Sequence, residues 1–287
     1  MKRIRSGNRY LLLILGLALV LNSCVNLRSV NSYSLKSTES LKKFEEISYS
    51  FAEHCLDRCQ FESVQDFSIK RTAECDCKLY EDADKAATTI YKRLRGYFEA
   101  LSALTNNELT DYSLDALKEP LTAGGFGSIE IEAADVNAAS HIATILLRAT
   151  TDLYRKNKTK TYVAEANADI QILLKKFNEI TRSNLSGLLD FKKERLFSYY
   201  RELLVDTSLS TYEKAQAGRE YYQELSAIDT QQRQIEAFAR SVDRIAKGHQ
   251  ELYENRNKMT AKEFKELIRG YTGDLRNIIS EFNALKR

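Results

Sequence analysis

Apolar residues recur at three- and four-residue steps along most of this chain, the period of a helix with one buried face. The last segment shows it most clearly: Phe264, Ile268, Tyr271, Leu275, Ile278, Phe282 and Leu285 alternate steps of four and three. Thr260 followed by Glu263 is a capping-box pattern that starts this helix near residue 260. Upstream, Tyr221, Leu225, Ile228, Ile235, Val242, Ile245, His249 and Leu252 share a face, interrupted by Gln232. A third stripe runs through Ile170, Leu174, Phe177, Leu185, Leu188, Leu196, Tyr199 and Leu203. No strand-like alternation of useful length occurs. The pattern predicts helices over Leu35–Arg58, Asp82–Leu104, Glu130–Tyr154, Thr161–Leu204, Ser210–Asn255 and Thr260–Leu285. Asp206-Thr207-Ser208 breaks the chain before an N-cap at Ser208 or Ser210. Two helices of roughly 40 residues would each span ~60 Å. The expected fold is all-α: an elongated antiparallel bundle of long helices, with residues 39–287 as one domain.

Composition agrees. A single proline, Pro120, in 287 residues is a severe depletion against an average near ~5%, and Lys, Glu, Arg, Ala and Leu are good helix formers. The longest non-helical stretch, residues 106–129, contains Gly124, Gly125, Phe126 and Gly127. It reads as a flexible inter-helix turn, with Leu109, Tyr112, Leu114, Leu117 and Leu121 apolar enough for a short helix capping the bundle end. Loops of this length without a role are uncommon, which makes these glycines the first choice for a partner-contact surface.

The beginning of the chain follows a different rule. Lys2, Arg3, Arg5 and Arg9 precede an apolar run from Tyr10 to Leu21, shorter than the ~20 residues of a bilayer span and shaped like an export signal. Leu21-Asn22-Ser23-Cys24 closes it. This sequence resembles the processing site of bacterial lipoproteins, although Asn22 is not the usual small or apolar residue. The resemblance implies cleavage before Cys24, acyl chains on that cysteine, and a bilayer as first partner. Each buried CH₂ contributes ~0.8 kcal/mol, so several chains anchor a protein permanently. Val25 and Asn26 follow where an aspartate would resemble an inner-membrane retention signal, so the resemblance favours the outer membrane of a cell envelope. On this reading residues 1–23 are a signal peptide, and residues 24–38, rich in Ser and Asn, are the lipidated cysteine and a flexible tether.

The leader also carries the apparent basicity. The chain has 43 basic and 40 acidic residues; without the four cations of the leader it has 39 against 40, near neutral. No global case for nucleic-acid binding remains.

Four further cysteines form the pattern Cys55-x₃-Cys59…Cys75-x-Cys77. Cys55 and Cys59 share a helix face; Cys75 and Cys77 share one side of an extended segment. A hairpin over residues 55–77 that nests Cys59 with Cys75 and Cys55 with Cys77 is the natural disulfide arrangement in an exported chain, although four cysteines allow three connectivities. A four-cysteine zinc site assisted by His54 is the alternative, poorly matched by the C-x-C spacing.

Other candidates are weaker. Arg155, Lys156, Lys158 and Lys160 form the densest basic cluster, expected at a helix–helix turn where they could touch phospholipid headgroups or another anionic envelope polymer. His54, His141 and His249 are scattered and read as hydrogen-bonded bundle residues. Sixteen tyrosines and no tryptophan fit bundle packing and suit interfaces. No catalytic motif, metal-ligand set or cofactor signature is present. The functional expectation is an envelope lipoprotein whose bundle is an interaction or tethering module for an envelope protein or the cell wall. A periplasmic bundle holding a metal or small apolar molecule is the alternative.

Overall fold

The computed structural model describes residues 27–106, 120–151, 155–259 and 261–286. Its elements are α1 (Arg28–Lys42), α2 (Phe51–Gln65), α3 (Lys78–Asn106), a hairpin of β1 (Gly124–Phe126) and β2 (Ile129–Ile131), α4 (Ala133–Thr151), α5 (Arg155–Asn178), α6 (Ser186–Val205), α7 (Thr211–Glu254) and α8 (Lys262–Ala284). A π-helical turn, Glu179–Leu185, joins α5 to α6 without breaking the rod, so the long helix expected from Thr161 to Leu204 is continuous in space.

The bundle is all-α with long helices. At ~1.5 Å per residue, the 44-residue α7 is ~66 Å long. It begins at Ser210, whose side chain and the Glu213 side chain cap each other's backbone N–H reciprocally, a complete capping box. α3 is the central helix, packed against α1, α2, α4 and α5. Ala83, Ala87, Ile90, Leu94, Phe98 and Leu101 line its core side, and Ala86, Tyr91, Tyr97 and Leu104 are buried around the rest of it. A helix with so little exposed surface has to be interior.

Several boundaries differ from expectation: α3 starts at Lys78 instead of Asp82, α4 at Ala133 instead of Glu130, and α5 at Arg155 instead of Thr161. Residues 28–38 are not a tether. α1 starts at Arg28, with Val30, Tyr33, Ser34 and Ser37 fully buried. Its many serines hid it, because they lower apolar contrast while fitting closely packed helix faces; Ser34 Oγ donates to the Val30 carbonyl one turn earlier. The helix predicted over Leu35–Arg58 is two helices, separated by a 3₁₀ turn at Lys43–Glu46 and an extended residue at Ile47. α2 has its own N-cap, Ser50, and a second cap from outside: Asp84 of α3 accepts from the backbone N–H of Phe51 (3.0 Å) and Ala52 (2.9 Å). α8 begins behind Ala261 with no side-chain cap, and Thr260, expected to cap it, lies outside the described residues.

Residue contacts fix the direction of each rod. Gln234 of α7 reaches Ser48, whereas Tyr33 Oη donates to the Ile245 carbonyl (2.5 Å), so α1 and α7 run antiparallel. Asn178 bonds Asp243 and Asn167 bonds Gln250 (3.0 Å), so α5 and α7 are antiparallel too. One end of the bundle therefore collects the start of α1, the end of α3, the start of α5 and the α7–α8 turn. The other collects α2, the start of α3, the β-hairpin and the π-helical turn.

Candidate functional site

The second end carries the chemistry singled out by the sequence. α2 places Cys55 and Cys59 on one face, and the extended segment before α3 brings Cys75 and Cys77 against them. The bridges are Cys55–Cys77 (Cα–Cα 5.7 Å) and Cys59–Cys75 (Cα–Cα 6.0 Å), the nested pairing. All four thiols are consumed, which removes the four-cysteine zinc alternative. Cys55 and Cys77 are buried, while Cys59 and Cys75 are half-buried, so one staple belongs to the core and the other closes an exposed loop.

That loop is unusual. α2 ends with Ser68 N–H donating to the Ser63 carbonyl (2.8 Å) and Phe67 N–H donating to the Val64 carbonyl (3.2 Å). This is the double bond of a Schellman motif, whose left-handed residue is normally glycine. Here it is Phe67, φ 49°, the one described non-glycine residue with positive φ. The Phe67 side chain is 100% exposed and Ile69 is 98% exposed. A bulky residue in that conformation costs ~1–2 kcal/mol, and nothing in the fold packs against this one in return.

The Gly124–Gly127 segment, expected as a flexible turn, is instead an antiparallel hairpin with Gly124 opposite Ile131 and Phe126 opposite Ile129. Ile129 and Ile131 are buried and Glu130 is exposed between them. Three-residue strands are too short to show alternation. Gly127 takes the turn with φ 62°, and a Cβ there would lie 3.5 Å from the Tyr80 ring. Lys176, itself buried, donates to the Glu130 carbonyl (3.1 Å) and sits 3.7 Å from Asp135 and 3.2 Å from Glu179. Burial pulls the Lys176 ammonium down, but the bond to Glu179 and the Asp135 and Glu179 charges outweigh it and hold the pKa above its ordinary value. Asn184 adds a bond to the Ser128 carbonyl (2.5 Å). The hairpin is clamped. Leu121 is buried; the capping helix proposed around Leu109, Tyr112, Leu114 and Leu117 lies outside the described residues.

Tyr80 links the two hairpins, since the Arg58 guanidinium and the His54 ring lie 5.8 and 5.9 Å from its ring. On the other side of α2, Asp57 pairs with Lys192 (2.6 Å), the Arg195 guanidinium stacks over Phe61 (4.8 Å), and Phe61 meets Tyr199 (5.1 Å). The rings continue through Tyr200 and Tyr221 to Tyr222. Beyond Leu196 the α6–α7 pair leaves the bundle as an arm. Between Phe197 and Ala227 only Ala217 is buried, and Leu204, Val205, Tyr212 and Tyr222 are exposed. An open groove runs along this arm between Asp190 of α6 and Tyr222, Ser226 and Asp229 of α7.

The basic cluster is elsewhere. Its expected turn is helical from Arg155 onward. Lys158 and Lys160 are exposed at the opposite end, ~27 Å along α5 from Lys176. Thus the structure brings the glycine hairpin to the disulfides and separates both from the lysines. The side chains of Arg155 and Lys156, and Cys24 with the rest of the leader, lie outside the described residues.

The histidines are structural partners. His249 is fully buried; its Nδ1 meets Asn167 Oδ1 (2.9 Å) and its Nε2 meets Tyr97 Oη (2.7 Å). Burial pushes its pKa down to about 3. His54 Nδ1 meets Tyr49 Oη (2.8 Å), and burial, with the Arg195 and Arg58 charges, pushes it to about 4. His141 pairs with Asp169 (2.6 Å) on the surface. Among the described residues no group of three His, Cys, Asp or Glu could hold a metal ion, and no helix is long and apolar enough to cross a membrane.

This end of the molecule therefore joins two hairpins, one held by disulfides and one by Lys176 and Asn184, to a projecting aromatic arm. No known protein family, curated protein or solved structure matches the chain. Phe67, Asp84 and Phe61 are the residues that sequence reasoning missed; Tyr199 and Tyr221 lay on its apolar stripes, but their joining into one ring ladder did not show. The one available signal was an F-x-I pair inside a cysteine-bracketed loop.

Proposed function

We propose that this protein is an envelope lipoprotein, anchored through Cys24 in the outer membrane, whose helical rod presents an interaction surface away from the bilayer to another envelope protein or the cell wall. The observation that carries the reading is polarity along the rod. The chain enters α1 at one end, whereas the disulfide loop, the glycine hairpin and the aromatic arm gather at the other. A lipid-anchored rod of this kind holds its contact surface tens of ångströms from the headgroups. The paired disulfides suit an oxidising compartment, and exposed Phe67, Ile69 and Tyr222 are the residue types that anchor interfaces.

The test is site-specific photocrosslinking in living cells, with the crosslinker at Phe67, Tyr222 or Gly125 and, as control, at Lys258. A discrete adduct from the first three positions and none from the control is expected. Adducts that are absent, or equally frequent at both ends, refute the reading. Mass spectrometry of the mature N-terminal peptide tests acylation of Cys24 separately.

A further inference from the structure

The missing tether has a consequence for how such a rod would stand. Leu27 is already buried and α1 begins at Arg28, so three peptide steps separate Cys24 from the folded body. At ~3.6 Å per residue, Leu27 lies no more than ~11 Å from Cys24. That is under one and a half Debye lengths at physiological salt, where the length is ~8 Å.

The surface that this places against the bilayer can be located by counting turns. Tyr33 and Gly248 touch, since a Cβ on Gly248 would lie 2.6 Å from the Tyr33 ring. From that level, α1 runs ~8 Å back to Arg28 and α7 runs ~9 Å on to Glu254. Asn167, bonded to His249, lies ~10–14 Å along α5 from Lys160 and Lys158. The chain entry, the two lysines and the 3₁₀ turn Arg256–Lys258 therefore end in nearly one plane. Lys158, Lys160 and Lys258 are exposed, and none of them pairs with a carboxylate among the described residues. Arg256 donates to the Tyr253 carbonyl (2.7 Å). Lys262 faces Glu266 at 3.9 Å. Among the described residues, the exposed carboxylates at this end are Glu254, Glu263 and Glu266, against the exposed cations Arg28, Lys158, Lys160, Lys258 and Lys262.

We propose that this end is a base plate for anionic lipid headgroups, with Lys158, Lys160 and Lys258 lying on the bilayer surface and holding the rod upright on its lipid. The proposal rests on the lipoprotein reading, which supplies the bilayer. A polyanion of the envelope would satisfy the same lysines, but the short link to Cys24 brings phospholipid headgroups within their reach. An upright rod fixes the height and direction of the disulfide end, which a flexible tether would leave free.

Amine footprinting of the protein purified from membranes tests it. The protein is reconstituted in phosphatidylglycerol–phosphatidylcholine vesicles, in phosphatidylcholine vesicles and in neutral detergent. Each lysine near an anionic surface gains roughly fivefold in local occupancy. Lys158, Lys160 and Lys258 should therefore label about fivefold more slowly in the anionic vesicles than in the other two, with protection lost at high salt and Lys70 unchanged throughout. In the Lys158→Glu, Lys160→Glu variant, whose side chains are exposed and leave folding intact, protection of Lys258 should fall below about twofold. Equal labelling of the three lysines in anionic and zwitterionic vesicles overturns the proposal, as does undiminished protection of Lys258 in the variant. An unmodified Cys24 peptide overturns the lipoprotein reading instead, and the footprint then judges the basic end by itself.

Discussion

Burying His249 as a neutral ring couples the stability of this bundle to pH. Both ring nitrogens are occupied. Asn167 Nδ2 donates to Gln250 Oε1 (3.0 Å), which leaves Asn167 Oδ1 to accept from His249 Nδ1–H (2.9 Å) and Tyr97 Oη–H to donate to Nε2 (2.7 Å). A second ring proton would have no acceptor unless the Tyr97 hydroxyl turned away, and the charge would sit beside Phe98 in the core, ring centroids 6.0 Å apart. The folded pKa of about 3 lies below the 6.5 of an unperturbed histidine. Between those values the unfolded chain binds a proton that the native chain refuses. The contribution is therefore complete above pH ~6.5 and is withdrawn as pH falls toward 3. At 1.36 kcal/mol per pH unit, His249 should remove ~2 kcal/mol of stability between pH 6.5 and pH 5. Urea unfolding of the wild type and of His249→Gln at pH 7.5 and 5.0 checks this. Glutamine cannot titrate, so the penalty of the substitution should be ~2 kcal/mol smaller at pH 5.0 than at 7.5. Equal penalties at both pH values, or a native-state ¹⁵N titration of His249 with a midpoint near 6.5, would refute the reasoning.

Three further outcomes are expected. Gly248→Ala places a methyl 2.6 Å from the Tyr33 ring, which is held by its bond to the Ile245 carbonyl; overpacking should outweigh the gain in helix propensity and cost ~1–2 kcal/mol by urea melt. Phe67→Gly should stabilise the protein by ~0.5–1 kcal/mol, because glycine relieves a left-handed residue whose side chain contacts nothing; a loss of stability would mean that Phe67 packs. Replacing both Cys59 and Cys75 by serine should cost up to ~3 kcal/mol while leaving the core helices intact by circular dichroism, whereas replacing the buried Cys55–Cys77 pair should cost at least as much and loosen the docking of α2 on α3, visible as faster amide exchange at Phe51 and Ala52.

How much of this was legible depended on contrast. α7 and α8 carry long apolar stripes, and the Ser210 cap is local, so their boundaries fell within two residues of expectation. α1 was hidden because Ser29, Ser34, Ser37 and Ser40 are buried, and period alone cannot separate a serine-rich packed helix from a serine-rich linker. The start of α2 carried one local signal, Ser50 followed by Glu53, whose N–H donates to the Ser50 hydroxyl; the second cap, Asp84, comes from 32 residues away, and no local pattern announces a partner at that distance. The β-hairpin was missed because three residues per strand give a period-two signal no statistical weight.

The sequence by itself determined the helical class, the four-cysteine hairpin and its natural nesting, and the chemistry of its candidate surfaces, because periodicity, spacing and residue type are local properties of the chain. Tertiary structure decided where those pieces meet. It put the glycine hairpin beside the disulfides, because Lys176 and Asn184 hold its carbonyls at the π-helical turn. It sent the basic cluster to the opposite end, because α5 runs antiparallel to α4 and α7. It also turned an apparent tether into a core helix, since burial against α3 and α8 is a property of the partner faces and is not written in α1.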